Sequence, residues 1–264
     1  MIEYGDNVLI LLEDEETRYF SEVKKGGILK THFGNLIMDS LVGKEFGERI
    51  NLGLRNAYLI KPSMIDGIFS LKRSTQIVYP KDMAFILLTL DIKPGDVVYE
   101  AGTGTGVMTS ILSRQVGESG KVVSFEKRSD FLEKAKKNVS RLGFIERVSF
   151  VAGEIAECDI RQRADAFFLD VPEPSTSLET SIMILKGSGR ICVICPTTNQ
   201  VQETIEILRN LGVIDIQVWE IMARNYKTNP ERFRPEDRMI GHTTYLVFGI
   251  KAEGRKFNVK RESP

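Results

Sequence analysis

Cysteine, histidine and tryptophan are scarce in this 264-residue chain, at three, two and one residues. Three cysteines over that length cannot staple a disulfide framework, which points to a reducing compartment, the cytoplasm. The two histidines, His32 and His242, lack HExxH or CxxH surroundings, so no metal site is expected. No apolar run approaches the roughly 18–20 residues that cross a bilayer, so no membrane partner is expected. The opening stretch MIEYGDNVLILLEDEE lacks the basic leader of a secretion signal. GxSxG and GxxxxGK[ST] are both absent, which sets aside a hydrolase serine and a P-loop. Net charge is absent too, since 36 Lys and Arg balance 36 Asp and Glu. That tie conceals segregation. Residues 1–22 hold seven acids and one base (Arg18), whereas Arg224–Pro264 holds ten bases and five acids. The basic stretch is either an ordinary solvated surface or a face for an anionic substrate.

What is present changes character along the chain. Residues 1–72 contain short β-prone pieces, such as Asn7–Leu12 and Gly27–Lys30, broken by frequent glycines, and are expected to form a small β-domain. From residue 73 to 264 strands alternate with helices. Helices are expected at Met83–Leu90, Gly106–Val116, Ser129–Leu142, Ser177–Leu185 and Asn199–Leu211. Strands are expected at Asp96–Glu100, Lys121–Glu126, Arg147–Ala152, Asp165–Val171, Gly189–Cys195, Ile214–Glu220 and Thr243–Ile250. This alternation implies an α/β fold with a mainly parallel, doubly wound sheet. Cys192 and Cys195 form a CxxC, but residues three apart on a strand face opposite ways, so they are expected to be core thiols.

The strongest local signal is Val97-Val98-Tyr99-Glu100-Ala101-Gly102-Thr103-Gly104-Thr105-Gly106, an apolar strand running into a glycine loop and then a helix that opens with Val107 and Met108. Glycines there let backbone N–H groups approach a ligand. The strand Lys121–Phe125 ends in Glu126, placed to accept hydrogen bonds from both hydroxyls of a ribose. Loop and acid together point to an adenosine-containing cofactor. The dinucleotide fingerprint needs glycine where Val107 stands, and Glu100 would repel a pyrophosphate but attract an ammonium. S-adenosylmethionine, which is cationic and carries no phosphate, therefore suits the loop better than NAD. Glu154, after the next strand, would take the adenine amino group while Ile155 covers the ring; a solvated loop acid is the alternative. Asp170 ends a central apolar strand and is followed by Pro172-Glu173-Pro174, which stiffen the loop. It reads as a catalytic acid at the sheet's carboxyl edge, or as a helix cap.

Five segments resemble the tRNA (adenine-N1)-methyltransferases that modify the T-loop, in their single-subunit archaeal and bacterial type. They are Thr31-His32-Phe33-Gly34 with Asp39–Lys44, Thr75-Gln76-Ile77-Val78-Tyr79-Pro80-Lys81-Asp82, Glu100–Gly106, Leu169–Pro174 and Gly241–Val247. The glycine segment is common to methyltransferases; the second, fourth and fifth together are specific. The resemblance implies a class I, Rossmann-like methyltransferase domain whose seven-stranded sheet ends in an antiparallel strand, preceded by a small β-domain. It implies a tRNA substrate, S-adenosylmethionine as cofactor and a homotetramer built as a dimer of dimers. Cofactor contacts are then expected from Glu100, Gly102, Gly104, Thr105, Gly106, Val107, Met108, Glu126, Glu154, Ile155 and Asp170, with Gln76, Tyr79 and His242 lining the adenine pocket. Asp170 would stabilise the cationic adenine as N1 takes the methyl group, and the target base would leave its stack. The sequence departs from the family at Ser175, where Trp is common, at Phe131, where a polar residue is frequent, and in Cys195–Gln200. Two other readings differ in kind. A catalytically silent tRNA-binding subunit would lack the glycine loop and the strand-end Asp, both of which are present. A methyltransferase for another substrate class fits less well with the Pro-Glu-Pro turn and the basic C-terminal stretch.

Overall fold

Alternating apolar residues in β1 (Asn7–Leu12) direct Val8, Ile10 and Leu12 into one core. This strand lies between β2 (Arg18–Glu22) and β6 (Asn56–Ile60), with β5 (Arg49–Asn51) outside β6, and every pairing is antiparallel. A separate hairpin joins β3 (Ile28–Thr31) to β4 (Gly34–Ile37). Helix α1 (Met64–Ser70) was not foreseen. It is short, but Ser63 and Asp66 form a reciprocal capping box that satisfies its first turn. These elements make up one compact unit, Met1–Lys72, and the rest of the chain forms another, Arg73–Pro264. The structure is a computed structural model that describes residues 1–14, 16–71, 76–157 and 162–254. Lys72 and Thr75, and the basic residues beyond 254 that belong to the C-terminal charge excess, lie outside the described residues.

The second unit is built on a seven-stranded sheet. Its strands are β7 (Val97–Ala101), β8 (Lys121–Glu126), β9 (Val148–Ala152), β10 (Ala164–Leu169), β11 (Leu185–Cys195), β12 (Val213–Trp219) and β15 (Tyr245–Lys251). They lie in the order β12-β15-β11-β10-β7-β8-β9, and β15 alone runs antiparallel to its neighbours. Helices α2 (Pro80–Thr89), α3 (Val107–Val116), α4 (Ser129–Arg141), α5 (Ser175–Ile184) and α6 (Thr198–Asn210) provide the crossovers and layers. This is the topology of a class I methyltransferase domain. The chain reverses its direction of travel across the sheet between β7 and β10, opening a crevice at their carboxyl ends.

Differences from the sequence expectation have local causes. Helix α2 starts at Pro80, not Met83, because proline is preorganised for the first helical position, where its missing N–H costs nothing. Strand β11 starts at Leu185, directly after α5, and absorbs a register shift opposite Ala164–Ala166 that includes a left-handed Ser188. The two-residue strands β13 (Tyr226–Lys227) and β14 (Arg234–Pro235) pair inside a stretch that the sequence marks only as basic. Cys192 and Cys195 are both buried, and Cys195 packs with the residues beneath α5 and α6. Among the described residues, no helix is long and apolar enough to cross a membrane.

The centre of this sheet is aromatic on one face. Tyr99 stacks between Phe125 and Phe167, with ring centroids 6.0 and 6.3 Å away, so one ring from each of β8, β7 and β10 forms a continuous layer. Phe167→Ala removes the fully buried outer ring and should lower unfolding free energy by about 3–5 kcal/mol. Urea denaturation checks this, and a loss below about 1 kcal/mol would contradict the ring's central place.

Candidate active site

The glycine loop between β7 and α3 is shaped by what a side chain would strike. A Cβ on Gly102 would lie 1.8 Å from the backbone oxygen of Asp170, and φ is +94°. The Asp170 N–H meanwhile donates to the Ala101 carbonyl at 2.9 Å. The loop is thus pressed against the end of β10, and only glycine fits at that point. A Cβ on Gly106, the N-cap of α3, would meet Val139 and Ala135 of α4 at 3.0 and 3.1 Å, a tight contact at a φ of +78°. The Asn138 amide donates to the Thr105 carbonyl at 2.9 Å, securing the loop from the far side.

Two cavities open beside this contact, and Asp170 lines both. The first, about 250 Å³, also includes Gly102, Glu126, Glu154, Ile155 and Glu173. The second, about 390 Å³, also includes Gln76, Tyr79, Asp82, Ile240 and His242. Burial pushes the Asp170 carboxyl up to about 6, so it is ionised at neutral pH but close enough to its midpoint to respond to pH. Glu126 is nearly inaccessible. One of its oxygens accepts the Gly104 N–H at 2.9 Å, and the other accepts the Arg128 N–H and Nε at 3.1 and 3.0 Å. The Arg128 guanidinium also lies 3.6 Å above the Phe131 ring. Glu154 pairs with Lys127 at 3.0 Å.

In the second cavity, Tyr79 is the N-cap of α2. His242 Nδ1 lies 2.5 Å from Glu220 and Nε2 lies 3.3 Å from the Pro196 carbonyl. The Glu220 carboxylate, helped by that carbonyl, raises the His242 pKa above its ordinary value.

The model of the family described as tRNA methyltransferase complex GCD14 subunit matches residues 56–240 of this chain. The chain belongs to this family. The tRNA (adenine(57)-N(1)/adenine(58)-N(1))-methyltransferase TrmI of Methanocaldococcus jannaschii is 34% identical over 216 residues, covering 72% of this chain and 77% of that one. The crystal structure of tRNA (m1A58) methyltransferase TrmI from Aquifex aeolicus superposes with a TM-score of 0.83 at 33% identity, over 96% of this chain and 99% of that one. A Thermotoga maritima structure described as a SAM-dependent O-methyltransferase superposes with a TM-score of 0.91 at 43% identity, over 97% and 96% of the two chains.

In this tRNA methyltransferase family member, the expected residues sort into three groups. Gly102, Glu126, Glu154, Ile155 and Asp170 meet at the first cavity, and Gln76, Tyr79, His242 and again Asp170 at the second. Thr105, Val107 and Met108 have buried side chains, and neither they nor Gly104 and Gly106 line either cavity. Glu100 requires a correction. It lies on the sheet face covered by α3, fully buried, and accepts from Thr109 and Ser124 at 2.5 Å each. Burial pushes its carboxyl from 4.5 to about 8, so at neutral pH it is protonated and does not present an anion to a ligand ammonium. Strand alternation contains that signal, since Glu100 shares its face with Val98, beneath the helix.

Sequence reasoning passed over Arg128, which closes on Glu126 from two residues away, and Gln200. The Gln200 amide caps α6 with Thr197 and donates to the Pro172 carbonyl at 2.9 Å, steadying the loop after Asp170. Ser175, in place of the family's common Trp, opens α5.

Because the folded state holds the Glu100 proton more tightly than the unfolded chain, its ionisation opposes folding increasingly as pH rises from about 4.5 to 8. Glu100→Gln removes that penalty. Its melting temperature relative to wild type should therefore climb between pH 5 and pH 9, and a gap independent of pH would refute the neutral buried carboxyl.

Proposed function

We propose that this protein transfers the methyl group of S-adenosylmethionine to N1 of an adenine in the T-loop of tRNA, with Asp170 acting on both ligands. The observation that carries this reading is the position of Asp170 as the shared wall of two cavities, at the crevice between β7 and β10. The first cavity has the chemistry for S-adenosylmethionine. Its acids Glu126, Glu154, Asp170 and Glu173 outnumber the bases Lys127 and Arg128, which favours a cation without phosphate over a dinucleotide. When bound, that cofactor supplies a methyl group activated by a sulfonium.

The chain's own residues divide the remaining work. Backbone from Gly102 to Met108 cradles the amino-acid end of the cofactor. Glu126 accepts from the ribose hydroxyls once Arg128 gives up its contacts with one oxygen, because three of its roughly four acceptor sites are otherwise filled by Gly104 and Arg128. Glu154 accepts from the adenine amino group and Ile155 covers the ring. In the second cavity Tyr79 stacks on the extruded target base, with Gln76 and His242 along the walls. Neutral adenine already carries a lone pair at N1, so no strong base is required. Positive charge grows on the ring as the methyl arrives, and the Asp170 carboxylate, accepting from the exocyclic amino group, stabilises that charge most at the transition state. An oxygen nucleophile, as the description of the Thermotoga structure implies for that protein, would instead have to surrender a hydroxyl proton. Locating the transferred methyl separates the two chemistries.

In this reading Arg73–Pro264 is the catalytic domain and Met1–Lys72 an accessory β-domain. The enzyme works in the cytoplasm as a homotetramer. Exposed Trp219, Met222, Tyr226, Phe233, Met239 and Ile240 support assembly, because that many large apolar side chains in one stretch are costly to leave in water.

The test is incubation with an unmodified tRNA transcript and labelled cofactor, followed by mapping of the methylated positions. Label at N1 of a T-loop adenine is the expected result; label elsewhere overturns the assignment. Asp170→Ala should lower the single-turnover rate by about 10²–10³-fold while the protein stays folded, and near wild-type turnover would remove Asp170 from the chemistry. Since the carboxylate is the active form, the wild-type rate should fall as pH drops through about 6, and Asp170→Asn should lose that limb.

A further inference from the structure

We infer that Lys81, Asp82 and Thr243 form a buried polar clamp that holds Tyr79 in position at the wall of the second cavity, making them positioning residues for the target base. Asp82 is 1% exposed and the Lys81 side chain 14%. The Lys81 ammonium donates to both Asp82 oxygens at 2.8 and 2.9 Å and to the Thr243 hydroxyl at 2.6 Å. Thr243 in turn donates to Asp82 at 3.0 Å. All three ammonium protons and the hydroxyl proton are thereby used, and the network is closed.

The position of this network gives it a role. Lys81 and Asp82 belong to the first turn of α2, directly after Tyr79, whereas Thr243 lies between His242 and Thr244 before β15. The network therefore ties two segments distant in sequence, each of which contributes side chains to the cavity that also holds Asp170. Further along α2, Phe85 packs against Trp219 and Phe248 at 5.3 and 5.8 Å, so apolar contact anchors the body of the helix. The clamp fixes the other end. Stability does not explain a charged pair there, because an apolar trio of similar shape commonly holds a fold as well as a buried ion pair does. Directionality does explain it. Hydrogen bonds set the distance between the Tyr79 turn and the Thr243 strand end in a way that apolar packing would not.

The inference rests on the reading of the second cavity as the adenine site, and the experiment separates the two. The triple variant Lys81→Met/Asp82→Leu/Thr243→Val removes every polar group at once, and Thr243→Val alone loosens the tie while leaving the ion pair. The amides of Asp82 and Met83 both donate to the Tyr79 carbonyl at 2.9 Å, so their hydrogen exchange reports directly on this turn. The triple variant should melt close to wild type and bind S-adenosylmethionine with unchanged affinity. Its Asp82- and Met83-position amides should exchange at least about tenfold faster, and its methyl transfer to tRNA should slow by about 10- to 100-fold, from misplacement of the base. Thr243→Val should move both readouts the same way by a smaller factor. Unchanged exchange, or full turnover in a stably folded triple variant, overturns the clamp. A wild-type enzyme that leaves tRNA adenines unmodified instead overturns the functional reading, and the exchange measurement still decides the clamp.

Discussion

The site depends on a contact that admits no side chain, the approach of Gly102 to the backbone of Asp170. One strand end supplies the loop for the first cavity and the other supplies the carboxylate between the two cavities. Their separation is fixed by the hydrogen bond from Asp170 N–H to the Ala101 carbonyl. The aromatic layer of Tyr99, Phe125 and Phe167 holds the same three strands in register just below. The site therefore inherits its geometry from the centre of the sheet. The flanking loops, steadied by Asn138 on one side and Gln200 on the other, have only to complete it.

Three strand-end carboxylates lie close together in the chain's fold, each with different surroundings. Glu100, sealed beneath α3 with hydroxyl donors only, keeps its proton at neutral pH. Glu126 sits between the Gly104 N–H and Arg128, both of which donate to it. Asp170 is raised by desolvation but is still ionised. Were Glu100 charged as well, it would add to the field of Asp170 and Glu126 in a region with little water to screen it. Its neutrality lets it lie beneath α3 without adding a charge to the crevice that Asp170 and Glu126 line.

Much of this architecture was legible in the sequence. Strand β8 was read to its last residue because its apolar run ends in an acid, and the glycine spacing located the crevice because Gly102 and Gly106 meet a backbone or helix that a Cβ would strike. What escaped was of two kinds. Elements too short to show a period, such as β13 and β14, leave no repeating pattern to detect. Contacts between residues far apart in sequence, such as Thr243 with Asp82, depend on packing that spacing alone does not encode. The Glu100 misreading is instructive. An acid before a glycine loop reads as a charge facing the ligand, whereas strand alternation turns Glu100 toward Thr109 of α3 and Ser124 of β8.

Among the described residues the two cavities share one wall residue, Asp170, and that has an evolutionary consequence. Under the proposed roles, no substitution at Asp170 can retune recognition of the base without also altering the cofactor side, so the position is locked by two selective demands at once. Drift toward a new target nucleotide, or a designer's attempt to impose one, is confined to walls that face one cavity only, such as Gln76, Tyr79 and Ile240. A bisubstrate inhibitor faces the converse opportunity. A ligand spanning both chambers must pass this carboxylate, and a hydrogen-bond donor placed at the linker would serve both halves of the molecule.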